Sequence, residues 1–395
     1  MTFFAAEGVS IETVYAQPPP GGEDPAILAR LTRMIEDTPA GATIRATIFR
    51  LTVESVRDAL VLANNRGVVV QVVHNGRDLT SSVAASLSRP PPVGLGDGHR
   101  WSGEPYDPTG RRPDYGAVAT GPDSDLHTKL FLFSATKDPD GLLRENVSWW
   151  GSANLSHRSG MQKSNNAVVV YDDPVLYDGF RKRLWDLMWG GTHYPRNDFY
   201  DGSLGRGTFM GSPVIKTKVF CSPEQDTDLW VGRLASVVVD PDTEVHVAHA
   251  RFTDARTVVA DELVRIKGQG GTVRVLVGGD EGFLGAVVRS TLLDAGIPLR
   301  TADIHDKLAL VHSRHGVSIR SRKVVLSGSH NLNHDANYVN DEILVKTFND
   351  ALYDDVLAGH YEHIWSTGVP ALVDQRSAPE VIASTSERHN LDDRP

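Results

Sequence analysis

Two short stretches hold residue types that could do chemistry at a fixed spacing. The first is His127-Thr128-Lys129, followed by an apolar run and then by Gly151-Ser152-Ala153-Asn154. The second is His305-Asp306-Lys307, followed by another apolar run and by Gly328-Ser329-His330-Asn331. On extended chain successive side chains alternate faces, so the His and Lys of each triplet point the same way. Each copy therefore presents an imidazole and an ammonium on one surface, with a Ser and an Asn supplied nearby. Two such copies facing each other make a pocket of two His, two Lys and two Asn, which is a site suited to an anion.

A single His-x-Lys is cheap, and a lone His on a strand is more often a satisfied core or surface residue than a catalyst. The coincidence carries the signal. Asn154 lies 27 residues after His127 and Asn331 lies 26 after His305, and both copies sit at matching points of a longer internal repeat.

The elements that must position these residues come in two sets. Ser10–Ala16, Thr43–Leu51 and Gly67–His74 read as strands, with helices from Asp24-Pro25 through Ile35 and over Val53–Asn65. Ile215–Cys221, Glu244–His249 and Gly271–Val277 read as strands, with helices over Thr227–Val238 and Thr257–Gln269. Ile11 corresponds to Ile215 and Gly67 to Gly271, both 204 apart, whereas His127 and His305 are only 178 apart. A period this long marks a duplicated half rather than a solenoid repeat. The first half therefore carries about 26 extra residues within Asp78–Asp125, a Pro-, Gly- and Arg-rich stretch that reads equally as a lid or as a tolerated surface insertion. After the sites, Asn166–Tyr171 and Ile343–Lys346 read as strands, followed by helices Pro174–Trp189 and Ala351–Trp365. This grammar predicts an α/β protein of two similar halves, each a mixed sheet flanked by helices. The first half spans residues 1–200 with a Gly-rich linker over Thr192–Pro213, the second spans 201–372, and a polar tail without periodicity covers 373–395.

Composition narrows the class. A net charge of −10 and a pI near 5.8 count against a protein that lives on nucleic acid, although a locally positive cleft is compatible with them. The single cysteine, Cys221, excludes a disulfide framework and reads as a small core residue. No signal peptide and no membrane span is visible, so the expectation is a soluble cytoplasmic monomer, with a trimmed secreted form as the alternative.

The paired triplets, each followed by Gly-Ser-x-Asn, resemble the phospholipase D superfamily over about Ile11 to Trp365. The resemblance implies two halves related by a pseudo-two-fold axis with one active site at their interface. It also implies cofactor- and metal-free phosphodiester cleavage through a phosphohistidine, with His127 as nucleophile and His305 as acid. Lys129, Lys307, Asn154 and Asn331 would hold the non-bridging oxygens, and Ser152 and Ser329 would support them. Two departures stand out. Five residues after each Lys, where the family has Asp, this chain has Ser134 and His312. An acidic brace for a catalytic His follows Gly-Ser-x-Asn in the family; Glu342, 11 after Asn331, fits and is expected beside His305, while the first half has Asn165 at that distance.

Other histidines read as background. His246 and His249 fall on opposite faces of one strand, and His360 and His363 on the closing helix read as solvated surface. The turn Gly278–Gly282 lacks a phosphate-loop lysine, and Arg111-Arg112 reads as a solvated loop. The function expected is hydrolysis of a phospholipid diester or transfer of its phosphatidyl group, with transient contact at a membrane surface. The alternatives are a nuclease of the same superfamily and an inactive phosphate-binding relative.

Overall fold

A computed structural model describes residues 2–6, 8–78, 81–102, 124–189, 208–211, 213–224, 227–318 and 320–371. The linker around residues 190–207, the Arg111-Arg112 pair and the tail from 372 lie outside these residues.

Two mixed sheets repeat one plan. In the first, the strands run in the order Thr2–Ala6, Val9–Ala16, Asn165–Tyr171, Leu143–Gly151, Leu130–Lys137, Thr43–Ile48, Val69–His74 and His99–Trp101. In the second, Thr217–Ser222, Glu342–Phe348, Arg322–Gly328, Lys307–His315, Glu244–His249, Thr272–Gly278 and Leu299–Ala302 follow the same order. The three strands at the far end of each series pair in parallel, and the others are antiparallel.

Side-chain alternation sorts each strand between two cores. Leu130 and Leu132 face an inner core shared by both halves, where they meet Leu308, Leu310 and Val345, and Phe180 and Tyr361 from the helices. Phe131 and Phe133 face an outer core under the helix Ala26–Glu36, whose Ile27, Leu28, Leu31, Met34 and Ile35 recur at helical spacing. The second half has the matching outer core, with Trp230, Leu263 and Val311. Cys221 is buried in the inner core. Trp150 crosses the seam: it is 1% exposed and its Nε1 donates to Ser327 Oγ at 3.0 Å.

The stretch Asp78–Asp125 is not all loop. It includes a short helix, Ser82–Ser86, and the edge strand His99–Trp101, the counterpart of Leu299–Ala302. From Trp101 to His127 is 26 positions, against 3 from Ala302 to His305. The insertion therefore sits after the edge strand, mostly in residues 103–123, which lie outside the described part, as does the choice between lid and surface loop.

Candidate active site

The two triplets do not lie within strands, as the alternation argument assumed, but at their entrances. The strands begin at Leu130 and at Lys307. Upstream of those points the chain is held by the opposite half. His127 N donates to Asp341 O at 3.0 Å, and Thr128 Oγ1 donates to the same carbonyl at 2.9 Å. His305 N donates to Ser164 O at 2.7 Å. Each triplet is thus extended and buried because a segment from the other half supplies the hydrogen bonds that a sheet neighbour would give.

Each Gly-Ser-x-Asn segment explains its own composition. A Cβ at Gly151 would stand 2.6 Å from Asn166 O, and one at Gly328 would stand 2.3 Å from Ile343 O, so only glycine lets the chains approach this closely. Ser152 Oγ accepts from Asn166 N at 3.0 Å and donates to Asn165 Oδ1 at 2.9 Å. Ser329 Oγ accepts from Ile343 N at 3.0 Å and also bonds Glu342. The serines therefore orient the residue 11 positions after each Asn, namely Asn165 and Glu342.

Those two residues cross over. Glu342 Oε1 lies 2.7 Å from His127 Nδ1, and Glu342 is fully buried. This corrects the expectation that Glu342 stands beside His305. At His305 the brace is neutral: Nδ1 lies 2.9 Å from Ser152 O and 3.2 Å from Asn165 Oδ1. The Asn165 amide cannot turn, because its Nδ2 donates to Ser159 O at 2.6 Å and to Lys163 O at 2.9 Å. The two oxygens facing His305 Nδ1, Ser152 O and Asn165 Oδ1, are acceptors and favour a proton on that nitrogen, while Lys307 Nζ, a donor, lies 3.0 Å from it. His305 thus has a neutral amide, not the expected carboxylate, at Nδ1.

Charge is distributed unevenly over the site. Burial lifts the Glu342 carboxyl to about 8, more than Lys129, the Ser329 hydroxyl and Lys307 pull it down. Lys129 Nζ donates to His127 O at 2.8 Å, and Lys307 Nζ to His305 O at 2.7 Å, so each ammonium curls over its own triplet. Lys307 Nζ also lies 3.0 and 3.1 Å from the two ring nitrogens of His305. Asn154 Nδ2 donates to Ser159 Oγ at 2.9 Å, and the buried Asn331 Oδ1 has no hydrogen-bond partner among the described residues. Ser134, where the family has Asp, keeps a structural task by accepting from Thr43 N at 2.8 Å. Among the described residues, no group of three or more His, Cys, Asp or Glu side chains is arranged to hold a metal ion.

The surroundings of the two lysines differ. Beside Lys129 a small recess is walled by Ile27, Ile48, Phe49, Phe131, Trp149 and Ala153, with Arg50 and Asn154 also lining it. In the second half the matching places hold rings. Trp230 takes the place of Ile27 and His330 that of Ala153, and His249 pairs in register with Lys307 where Ile48 stands next to Lys129. Trp230 packs edge-on to His249 at 4.7 Å, and its Nε1 donates to His330 Nδ1 at 3.1 Å. Burial holds His249 well below the usual imidazole range and His330 at about 3. His249, read from sequence as background, is thus part of a plug behind Lys307.

His246 stays on the opposite face of its strand, accepting from Arg274 Nε at 3.1 Å. His363 is exposed, but His360 is fully buried, against the expectation of a solvated surface. The turn Gly278–Gly282 does have a role at the seam, since Asp280 pairs with Lys163 and, at 3.5 Å, with Arg158 of the other half.

Comparison with known proteins agrees with this architecture. The family model described as "Cardiolipin synthase, PLD-like domain" matches residues 31–188 and 240–365. Phosphatidylserine synthase from Haemophilus influenzae Rd KW20 superposes with a TM-score of 0.58 at 11% identity, covering 94% of this chain and 89% of that one. Polyphosphate kinase from Porphyromonas gingivalis superposes at 0.51 and 13% identity over 88% of this chain, which spans 49% of the kinase. Nuc from Salmonella typhimurium, a phospholipase D family member, matches 40% of this chain and 97% of its own at 22% identity, with a TM-score of 0.32. Among curated proteins none matches the sequence. No helix among the described residues is long and apolar enough to cross a membrane. With the family model covering most of its length and a triplet at the matching point of each half, the chain belongs to the phospholipase D superfamily, whose members are phosphodiesterases or phosphotransferases.

Proposed function

We propose that the protein cleaves a phosphodiester carrying a hydrocarbon substituent, of the phospholipid kind, releasing or transferring the phosphoryl-bearing group through a phosphohistidine on His127. His127 Nε2 attacks phosphorus and forms the N–P bond while the P–O bond to the leaving group breaks. The electron pair departs with the alkoxide oxygen, which takes a proton from the His305 imidazolium. A water or an alcohol then attacks phosphorus, giving its proton back to His305, and the N–P bond breaks to free His127. Lys129, Lys307, Asn154 and Asn331 supply the positive charge and donors for the non-bridging oxygens.

The crossed braces support this division of labour. The buried Glu342 carboxyl on His127 Nδ1, protonated below about pH 8 while the ring is neutral, compensates the positive charge the imidazole gains when Nε2 bonds phosphorus by giving up its proton. A neutral amide on His305 leaves that ring free to give up its proton. The observation that carries the choice of substrate is the apolar recess beside Lys129 and Asn154. A nucleobase or sugar placed there would bury polar edges without partners, at about 1–3 kcal/mol each, whereas an alkyl group loses nothing. The net charge of −10 points the same way.

The test is a panel of diesters (diacyl phospholipids, a short-chain alkyl p-nitrophenyl phosphate, single-stranded DNA) with wild type, His127→Asn and Ala153→His. Turnover is expected on the lipid diesters and is lost in His127→Asn. Ala153→His imports the second half's plug and is expected to lower kcat/KM on long-chain diesters about tenfold more than on the short one. Unchanged turnover in His127→Asn sinks the mechanism, and preferred turnover of DNA sinks the substrate.

A further inference from the structure

The second triplet is gripped from behind by a residue 54 positions downstream. Asp306 separates His305 from Lys307, is fully buried, and turns its carboxylate to His360 and Asn166. His360 Nε2 lies 2.9 Å from Asp306 Oδ1, and Asn166 Nδ2 from the first half donates to the same oxygen at 2.5 Å. The other ring nitrogen, His360 Nδ1, lies 3.1 Å from Gln17 Nε2, and that amide is fixed by donating to Gly359 O at 2.8 Å. Nδ1 therefore accepts, the ring proton sits on Nε2, and His360 donates to Asp306.

The first half holds His360 in place. Tyr15 stacks on its ring at 4.6 Å and 7°, and both Tyr15 Oη and Thr13 Oγ1 donate to Asp355 Oδ2, at 2.7 and 2.6 Å. Thr13, Tyr15 and Gln17 alternate along one edge of the chain, so one face of the first-half strand holds the second-half helix. His360 lies in a π-helical turn, Leu357–Tyr361, between the helices Asp350–Val356 and Glu362–Thr367. Such a turn inserts one residue, re-aims the side chains it carries, and recurs at functional sites. The first triplet differs: Thr128 occupies the place of Asp306, donates from Oγ1 to Asp341 O and accepts at its carbonyl from Thr47 Oγ1, each at 2.9 Å.

We propose that His360 is a positioning residue for the second triplet. Through Asp306 it fixes the backbone that presents His305 and Lys307, and through Gln17 and Tyr15 it ties that backbone to the first half. The segment needs such a hold because His305 and Asp306 precede the strand and lack a full ladder. The proposal rests on the proposed role of His305 only for its kinetic readout.

The test uses the full-length protein with His360→Phe, which keeps the ring but not its nitrogens, His360→Gln, which returns a donor, and Gln17→Leu, which removes the bond that sets the ring proton. With bis(p-nitrophenyl) phosphate as substrate, His360→Phe is expected to lower kcat about 10- to 100-fold with KM little changed, the effect of a small misplacement of a reacting group. His360→Gln recovers most of it, and Gln17→Leu shows an intermediate loss. A folded His360→Phe with wild-type kcat, or a loss confined to KM, overturns the proposal. Should His360→Phe fail to fold, wild-type kcat in Gln17→Leu overturns it instead. Should the wild type turn over no diester, the functional reading fails, and the positioning role is read from backbone amide exchange at residues 305–307. Faster exchange in His360→Phe that His360→Gln reverses supports the role, and unchanged exchange overturns it.

Discussion

Replacing Glu342 by Gln separates what the carboxylate costs the fold from what it gives the site. Burial raises this carboxyl from 4.5 to about 8. Ionising it in place therefore costs about 5 kcal/mol, at about 1.4 kcal/mol per tenfold change in proton affinity. The sign follows from proton counting. Between pH 4.5 and about 8 the folded protein keeps a proton that the unfolded chain has released, so stability falls as pH rises through that window and levels off above it. From pH 5 to pH 9 the wild type is expected to lose about 4 kcal/mol on this account, a loss that Glu342→Gln does not share. The assay is urea unfolding of both proteins at pH 5, 7 and 9, alongside kcat. Gln can still accept from His127 Nδ1, which lies 2.7 Å from Glu342 Oε1, but it cannot neutralise an imidazolium. The variant is therefore expected to be more stable than wild type at pH 9 and less active by about 10²-fold or more. Parallel stability–pH curves for the two proteins refute the reasoning about burial. Wild-type kcat in the variant refutes the role of the charge at His127.

Two further outcomes follow from the same geometry. Asn165→Asp puts a carboxylate 3.2 Å from His305 Nδ1 and raises that ring's hold on its proton, so the alkaline limb of the pH–rate profile should move up by about one unit or more; an unmoved limb contradicts the assignment of His305 as the acid. Arg183→Met removes the fully buried partner of Asp341, 3.1 Å away, whose carbonyl anchors the first triplet, and should cost about 3–5 kcal/mol in denaturant unfolding together with most of the activity.

Much of the site was legible because it is written at short range and written twice. The His-x-Lys and Gly-Ser-x-Asn spacings and the 204-residue offset between Gly67 and Gly271 come from residue type and position alone. They sufficed for an α/β duplication with its chemistry at matching points. The edge strand His99–Trp101 was not legible, because three residues carry no period and it was hidden in a stretch rich in Pro and Gly. The helix carrying His360 was expected, but not the π-turn that aims this histidine inward, since one inserted residue does not disturb a helical pattern.

What the chain determined by itself is which groups exist and which repeat: two imidazoles, two ammoniums, two amides, and one carboxylate where its counterpart is Asn165. Which group serves which was decided only by the packing of the halves. Sequence proximity placed Glu342 with its own half and hence with His305; the fold placed it on His127, because the segments Leu126–His127 and Asp341–Glu342 bridge the seam as do Ser164 and Ile304. The same packing turned Asp306, His360 and Gln17, residues far apart in the chain, into one hydrogen-bonded line behind the second triplet. Local spacing fixes what a strand entrance presents, but partners supplied across an interface depend on a docking geometry to which no short stretch of sequence refers.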